Sequence, residues 1–202
     1  LDTVDISTGN VNFDGSVIVK GDVHADMLVK ATGDIHIGGT TEAATLYAKG
    51  DIVIKGGIAG RQTSQQGKAE AGYTAVIRCT GSFTARFVES AKIEAEMGIY
   101  ISEAAMNADL TATTEIVVGK GSRGHIIGGI SRASTLVKAK VLGSPNGTIT
   151  KIEVGVNPFA REKVAQIDIE LEKIMRDNMD IKKILDIASK FPDKVPTQTV
   201  QR

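Results

Sequence analysis

Alternating hydrophobic and polar residues mark short strands along the first three quarters of the chain. Typical segments are Ile35–Ile37, Ile52–Ile54 and Ile99–Ile101. A period of two places successive side chains on opposite faces, as in a strand with one buried face. Gly-Asp pairs precede several of these segments, and both residue types favour sharp corners, glycine through its access to positive φ. The pattern therefore predicts short strands joined by tight corners.

The strands recur at a nearly constant spacing. Each repeat has an aliphatic residue two positions before a small residue, and a second aliphatic or aromatic residue four positions after it; the small residues are Ala31, Ala48, Cys79, Ala95 and Ala112. Ala139 continues the series more weakly, without the second residue. The short steps between them are about 17 residues, which suits a repeat protein. The two long steps, from Ala48 to Cys79 and from Ala112 to Ala139, predict insertions that project as loops at Gln62–Gly72 and Gly119–Gly129.

A coil of about 17 residues cannot bury its inner face alone, but it can do so against the coils that stack on it. The repeat therefore predicts a mainly β protein, a single-stranded β-solenoid of about seven or eight coils. A β-sandwich would instead show two-residue hairpin turns and no fixed spacing. The absence of proline before residue 145 agrees with stacked coils, in which every backbone N–H is needed.

The C-terminal part of the chain has a different composition. All 22 glycines lie in residues 1–155, and the later residues follow a heptad pattern. The candidate helix-pairing seam, spaced alternately by three and four residues, is Val164, Ile167, Leu171, Ile174, Asn178, Ile181 and Leu185. We therefore expect a β-solenoid domain over 1–156, a helical segment over 157–191 and a disordered tail over 192–202.

The seam has two possible uses. A continuous helix could pair with another chain, with Asn178 fixing the register of the pair. Alternatively, the segment could fold back on itself as a helical hairpin. Asp177 and Asn178 followed by Asp180 resemble a turn and a new N-cap, which favours the hairpin.

Composition excludes several classes of function. Lys and Arg total 24, as do Asp and Glu, so no charge excess predicts nucleic-acid binding. One cysteine and three histidines cannot supply a disulfide framework or a usual metal site, and we expect no cofactor. No apolar run is long enough for membrane insertion and no leader-like segment is present, so we expect a cytoplasmic chain. Because the sequence begins at Leu1, we expect it to be a piece of a longer protein.

Few residues are candidates for binding or catalysis. Lys120, Arg123 and His125 lie in a glycine-rich segment that could form an anion-binding loop. No P-loop sequence accompanies them, which favours a solvated insertion. Cys79 replaces alanine at a small-residue position, so we interpret it as a buried side chain.

A second functional hypothesis is a hexapeptide-repeat acyltransferase with His125 as general base. It rests on aliphatic residues spaced by six: Val11, Val17, Val23, Val29 and Ile35. The spacing of six lapses after Ile58, and the repeat settles at a length shorter than three hexapeptides.

The order of the corner motifs resembles that of a known family. The motifs are the Gly-Asp-Ile segments at 33–39 and 50–60, the glycine pair at 128–129 and the Val-Gly at 154–155 before the charged helix. Together they resemble the bacterial flagellar assembly protein A family. The resemblance implies a right-handed β-helix with a helical extension, and a cytoplasmic structural or regulatory protein linked to flagellar assembly. It implies no catalytic residues.

From this resemblance and the repeat we expect a non-enzymatic scaffold that acts by protein–protein interaction or self-association. The surfaces available for it are the ends of the solenoid, its flat sides and the coiled coil, and solenoids without caps tend to stack end to end. We expect a homo-oligomer with an unidentified protein partner.

Overall fold

The computed structural model describes residues 1–63, 72–119 and 123–190, and it divides into two units, 1–158 and 159–202. The first unit is a parallel β-solenoid of about seven turns, which confirms the predicted fold class. Its strands are, in chain order, β1 (Val11–Phe13), β2 (Val17–Val19), β3 (Leu28–Ala31), β4 (Ile35–Ile37), β5 (Thr45–Ala48), β6 (Ile52–Ala59), β7 (Gln62–Thr63), β8 (Gly72–Tyr73), β9 (Ala75–Cys79), β10 (Phe83–Glu89), β11 (Ala91–Ala95), β12 (Ile99–Ala112), β13 (Glu115–Val118), β14 (His125–Ala133), β15 (Leu136–Ala139), β16 (Val141–Leu142) and β17 (Thr150–Val154).

The strands form three parallel stacks, and each coil passes through all three in turn. The first stack contains β1, β3, β5, β9, β11, the C-terminal parts of β12 and β14, and β17. The second contains β2, β4, the N-terminal parts of β6, β10 and β12, then β13 and β15. The third contains the rest of β6 and β10, the middle of β12, the start of β14, and β16, after single bridges at Val4, Val23 and Thr41.

The stacking register shows which positions of the repeat are equivalent. The small residues from Ala31 to Ala112 all pair with one another in the first stack, as the repeat predicted. The last step of the predicted repeat was wrong. Ala112 pairs with Ala133, whereas Ala139 lies beside Val118 in the second stack. A small residue before a corner therefore occurs in two different stacks, and the long step from Ala112 to Ala139 compared positions that are not equivalent.

The core is a set of aliphatic ladders inside the coils. In the middle coils of the first stack the inward residues are fully buried, and each lies against the same position of the next coil, as for Val29, Leu46, Ile77, Ile93 and Leu110. Full burial of one such side chain contributes about 1.5–3 kcal/mol relative to exposure. Two positions on, the buried small residues form a second ladder at the corner: Ala31, Ala48, Cys79, Ala95, Ala112 and Ala133.

The Gly-Asp corners between the first and second stacks are held by side chains that bind the next coil. Asp34 Oδ1 accepts the Asp51 N–H at 2.8 Å, and Asp51 Oδ1 accepts the Ser82 N–H at 2.7 Å. The predicted positive φ is wrong for Gly33, Gly50 and Gly81. Glycine is required at these corners because the neighbouring coil leaves no space for a Cβ. A Cβ on Gly50 would overlap Asp34 Oδ1, and one on Gly81 would overlap Asp51 Oδ1.

Positive φ recurs at the corner between the third and first stacks. Asp26, Ser90 and Asn107 have φ of 63°, 50° and 48°, and Gly128 occupies the equivalent place one coil later with φ of 70°. Each residue makes the sharp turn that returns the chain to the first stack. Only one of the four is a glycine, which explains why the sequence pattern did not identify this corner.

The two predicted insertions have different outcomes. At the first, Arg61 and Thr74 close the coil, since the Arg61 N–H donates to Thr74 Oγ1 at 2.8 Å and the Thr74 N–H donates to the Arg61 carbonyl at 3.1 Å. Beyond this closure β7 and β8 form an antiparallel pair, and residues 64–71 lie outside the described residues. The second insertion is shorter than predicted. It was expected to extend to Gly129, but the coil resumes at His125 with β14.

The second unit contains one helix, α1, spanning Ala160–Lys190. The helix runs without a break through Asp177 and Asn178, so the preferred hairpin is wrong and the continuous helix is correct. Aspartate and asparagine lower helix stability by only about 0.7 kcal/mol each, whereas a break usually requires glycine or proline. The predicted tail over 192–202 lies outside the described residues.

Candidate interaction surfaces

The heptad seam of α1 is exposed to solvent. Its described apolar side chains, Val164, Ile167, Leu171, Ile174 and Ile181, are 52–60 % exposed. Asn178 is also exposed, and Leu185 lies in the helix although its side chain lies outside the described residues. A helix of 31 residues with an uncovered apolar seam is typical of one that pairs with another helix.

The outer surface of the first stack is charged, and its charges pair with one another. The Arg132 guanidinium donates to Asp109 Oδ1 at 2.8 Å and to Glu153 Oε2 at 3.0 Å. Lys151 lies 2.6 Å from Glu153 Oε1, and this contact, together with Arg132, holds the pKa of the Glu153 carboxyl below its ordinary value. Further down the stack Arg78 contacts Glu94 at 2.7 Å. These mutual contacts leave little net charge with which to recruit a partner.

The outer surface of the second stack has a different character. Its central outward positions carry no Lys, Arg, Asp or Glu over six consecutive coils; they are Ile18, His36, Val53, Thr84, Tyr100 and Val117. Ile18 is 61 % exposed, and the Tyr100 hydroxyl donates to Glu115 Oε1 at 2.9 Å. Sequence reasoning missed this surface, because the residues align only once the stacking register is known.

The predicted anion loop is only partly within the described residues. Lys120 lies outside them. The Arg123 guanidinium contacts the Glu103 carboxylate, so its charge is already satisfied within the protein. His125 is half-buried at the start of β14, between Ala104 and Val141 in the third stack.

The six-residue spacing behind the acyltransferase hypothesis has a structural explanation. Val11, Val17 and Val23 lie in the first, second and third stacks, and Val29 and Ile35 follow in the first and second. A coil that visits three stacks at equal intervals produces this spacing. It lapses because the next coils are shorter, from Val29 to Leu46 and from Ile35 to Ile52.

Cys79 is a buried member of the small-residue ladder, 4 % exposed. Burial, with smaller contributions from Asp51 and Glu96, raises the pKa of its thiol to about 12. The thiolate, which is the nucleophile, is therefore suppressed at neutral pH.

The last coils end in an apolar edge. Leu136, Val141 and Leu142 are 41–54 % exposed on β15 and β16. Beside them a shallow depression is lined by Val141, Leu142, Pro145 and Ile152. An exposed strand edge can pair with another chain, so this end is a further candidate surface.

The described ranges contain neither a metal-binding cluster nor a membrane-spanning helix. Within them, no group of three His, Cys, Asp or Glu side chains is arranged to hold a metal ion. No helix in the described part of the chain is both long and apolar enough to cross a bilayer.

Comparison with known proteins gives one match. The sequence model of the family described as Flagellar Assembly Protein A beta solenoid domain matches residues 1–202. No curated protein and no solved structure matches the chain.

Proposed function

Since the chain belongs to the Flagellar Assembly Protein A β-solenoid family, we propose that it is a non-enzymatic scaffold in flagellar assembly that works as a dimer held by α1. The observation that carries the proposal is the uncovered seam, with five described apolar side chains each more than half exposed. Association would remove these side chains from water. The occupant we propose for the seam is the same helix of a second copy.

The charges beside the seam favour a parallel pair. In the heptad set by Val164 and Ile167, Asp177 occupies a g position and Lys182 the e position five residues later. In a parallel pair, g of one helix lies beside the following e of its partner, so Asp177 would face Lys182 of the other copy on both sides. Both side chains are exposed and available for this contact.

Asn178 supports the same orientation. It occupies an a position, and equivalent a positions face each other in a parallel pair. Two asparagine amides can then hydrogen-bond across the seam. In an antiparallel pair Asn178 would instead face an isoleucine or leucine. A single asparagine at such a position lowers stability but fixes register and the number of strands.

The chain offers a closely matched pair of variants to test the seam. Ile167 lies on the seam and is 60 % exposed, whereas Ile169 lies on the opposite side of α1 and is 68 % exposed. We expect Ile167→Glu to place two like charges inside the helix pair and weaken dimerisation by at least tenfold. Ile169→Glu should leave the dimer intact. Sedimentation equilibrium of the full chain over a range of concentrations measures both dissociation constants.

Two results would refute the helix pair: a monomer at the highest concentrations for the unaltered chain, or equal weakening by both variants. The role in assembly needs a separate assay. We expect a bacterium carrying the Ile167→Glu allele to have fewer flagella and reduced swimming, and one carrying Ile169→Glu to match the parent. Normal flagella in the first strain, with the variant shown to be monomeric, would separate dimerisation from the flagellar role.

A further inference from the structure

We propose that the outer surface of the second stack is a contact surface for a second copy of this chain, packed side by side with the two solenoids parallel. The contact uses the central stripe, defined as Ile18, His36, Val53, Thr84, Tyr100 and Val117. It is distinct from the α1 pair, and it extends the proposed self-association to the solenoid itself.

The stripe differs from the outer surface of the first stack in more than its lack of charged side chains. Outward side chains of the first stack form ion pairs along the solenoid, as Arg132 does with Asp109 and Glu153. The stripe carries aliphatic and aromatic groups at the same kind of position, and a shallow depression there is lined by Ile18, His36, Val53 and other residues of the first three coils. Burial of such groups is favourable, and burial of the paired ions of the first stack is not.

Charges flank the stripe with opposite sign on its two sides. The positions two residues before the stripe in the six coils contain acids and no base: Asp34, Asp51 and Glu115, with Ser16, Ser82 and Gly98. The positions two residues after it are Lys20, Lys55 and Arg86, with Gly38, Ser102 and Gly119, so their charged members are all bases. In the fifth coil a register shift adds Glu103 at this corner, where its carboxylate is paired with Arg123. We call these rows the acidic edge and the basic edge.

The two edges of one copy complement those of a second copy in only one relative orientation. If a twofold axis runs along the stack, the second copy is turned so that its basic edge lies opposite the acidic edge of the first. Asp51 then faces Lys55 of the other copy, and the same contact occurs twice. If the axis runs along the strands, acidic edge meets acidic edge and basic meets basic. Like charges placed opposite each other oppose association, so charge selects the parallel dimer.

The groups on both edges can take part in this contact. Lys55 and Arg86 are exposed, and the Arg86 guanidinium lies 5.5 Å from the centre of the Phe87 ring. Lys20 lies 3.2 Å from Asp2, but both side chains are more than three-quarters exposed, so this ion pair is weak and easily exchanged. Asp51 binds the Ser82 N–H through Oδ1, and its second carboxylate oxygen can accept a lysine.

The size of the stripe predicts a weak contact. Six coils about 4.8 Å apart and a width of about 13 Å between the edges give roughly 350 Å² per copy. That lies below the roughly 800 Å² per partner of a standard stable interface. The stripe alone therefore supports a concentration-dependent dimer, and pairing of α1 would raise the effective concentration of the two surfaces. Each contact is twofold symmetric and closes on itself, and the two together form one closed dimer when the same two copies make both contacts.

Cysteine cross-linking distinguishes the orientations. In the parallel dimer every stripe residue faces its own copy, so full-length Ile18→Cys should cross-link to itself with a short bis-maleimide. In the antiparallel arrangement Ile18 would instead approach Val117, and only a mixture of Ile18→Cys and Val117→Cys would cross-link. Asn12→Cys, on the exposed face of the first stack in the same coil, is the matched control. Cys79 is buried and need not be removed.

A matched substitution measures the strength of the contact. Val53 and Val76 are both half-buried outward valines, the first on the stripe and the second on the first stack beside Lys92. We expect Val53→Glu to weaken dimerisation at least tenfold in the Ile167→Glu background, and Val76→Glu to change it less than twofold. Lys55→Glu, which opposes like charges to Asp51, should weaken it severalfold.

The outcomes separate this inference from the proposed function. Self-linking of Ile18→Cys with an unlinked Asn12→Cys control supports the stripe contact, whether or not it requires the intact α1 seam. A dimer through α1 whose Ile18→Cys form does not cross-link overturns the stripe contact and leaves the helix pair standing. Linking of Ile18→Cys only to Val117→Cys overturns the parallel orientation. Equal linking of Asn12→Cys, or equal effects of Val53→Glu and Val76→Glu, overturns the surface itself.

Discussion

Phe83 is the largest fully buried side chain among the described residues, and its removal tests how the solenoid core responds to a cavity. It lies at the start of β10 in the second stack, directly between Ile52 and Ile99 of the neighbouring coils, and none of its surface is exposed. Phe83→Ala deletes the ring. Substitutions of this type cost about 3–5 kcal/mol, the larger values applying where the surroundings cannot collapse.

The structure predicts a cost near the upper end of that range. The positions of Ile52 and Ile99 are set by backbone hydrogen bonds that hold adjacent strands about 4.8 Å apart, so neither side chain can move far toward the gap. Phe13 provides the control, because it lies at the end of β1 in the first coil, beside Ala31, and is 54 % exposed. Phe13→Ala removes the same ring from a half-exposed site and should cost about 1 kcal/mol.

Urea unfolding followed by far-ultraviolet circular dichroism gives the free energy of unfolding for both variants. A solenoid is stabilised coil by coil, so the slope of the transition must be compared as well as its midpoint. Phe83→Leu refills most of the volume and should recover at least half of the loss. A Phe83→Ala variant no less stable than Phe13→Ala would refute the view that adjacent coils are held too rigidly to close the cavity.

Three further predictions concern single side chains. Within the described residues Thr41 Oγ1 is buried without a hydrogen-bond partner, so Thr41→Val should raise the free energy of unfolding by about 1 kcal/mol, measured by urea titration; a loss of stability would contradict this. Because the raised pKa of Cys79 suppresses its thiolate, an aromatic disulfide reagent at pH 8 should leave the folded protein unmodified and label it in urea, and rapid labelling of the folded chain would show that the thiol is accessible. The N–H and hydroxyl of Thr40 donate to Asp22 Oδ1 at 2.6 and 3.0 Å, and these hydrogen bonds lower the pKa of Asp22 in the folded protein. The charged carboxylate of Asp22 therefore stabilises the fold at pH values above its unfolded-state pKa. This stabilisation is lost as the pH falls through the lower pKa of the folded state. Asp22→Asn should accordingly lose less stability than the parent between pH 5 and pH 2, and identical acid profiles would exclude this role.

Much of the solenoid could be predicted from the sequence because each coil repeats both its aliphatic positions and its small corner residue. The pattern failed where two stacks share the same local signature. Ala139 follows Val137 as Ala112 follows Leu110, yet the two alanines belong to different stacks. A local sequence motif reports the shape of a corner but not which of the three corners it is.

The residues that share an outer surface were harder still to predict from the sequence. The central stripe becomes visible only when Ile18, Val53 and Tyr100 are aligned by strand pairing across coils of unequal length. The seam of α1 was found because helical spacing is local. The predicted turn at Asp177 and Asn178 was wrong, because residues that favour turns do not interrupt a long helix unless tertiary contacts stabilise the turn.

The closure formed by Arg61 and Thr74 makes this corner a natural site for adding sequence. The coil is completed by three hydrogen bonds between these residues, and Ala75 resumes the first stack beside Ala91. Sequence added between positions 61 and 74 should therefore cost the solenoid only the entropy of closing a longer loop, about 0.6 kcal/mol for each doubling of loop length. A fluorescent domain or affinity tag could be grafted here, and the solenoid could gain new binding segments in evolution, without a change to any coil.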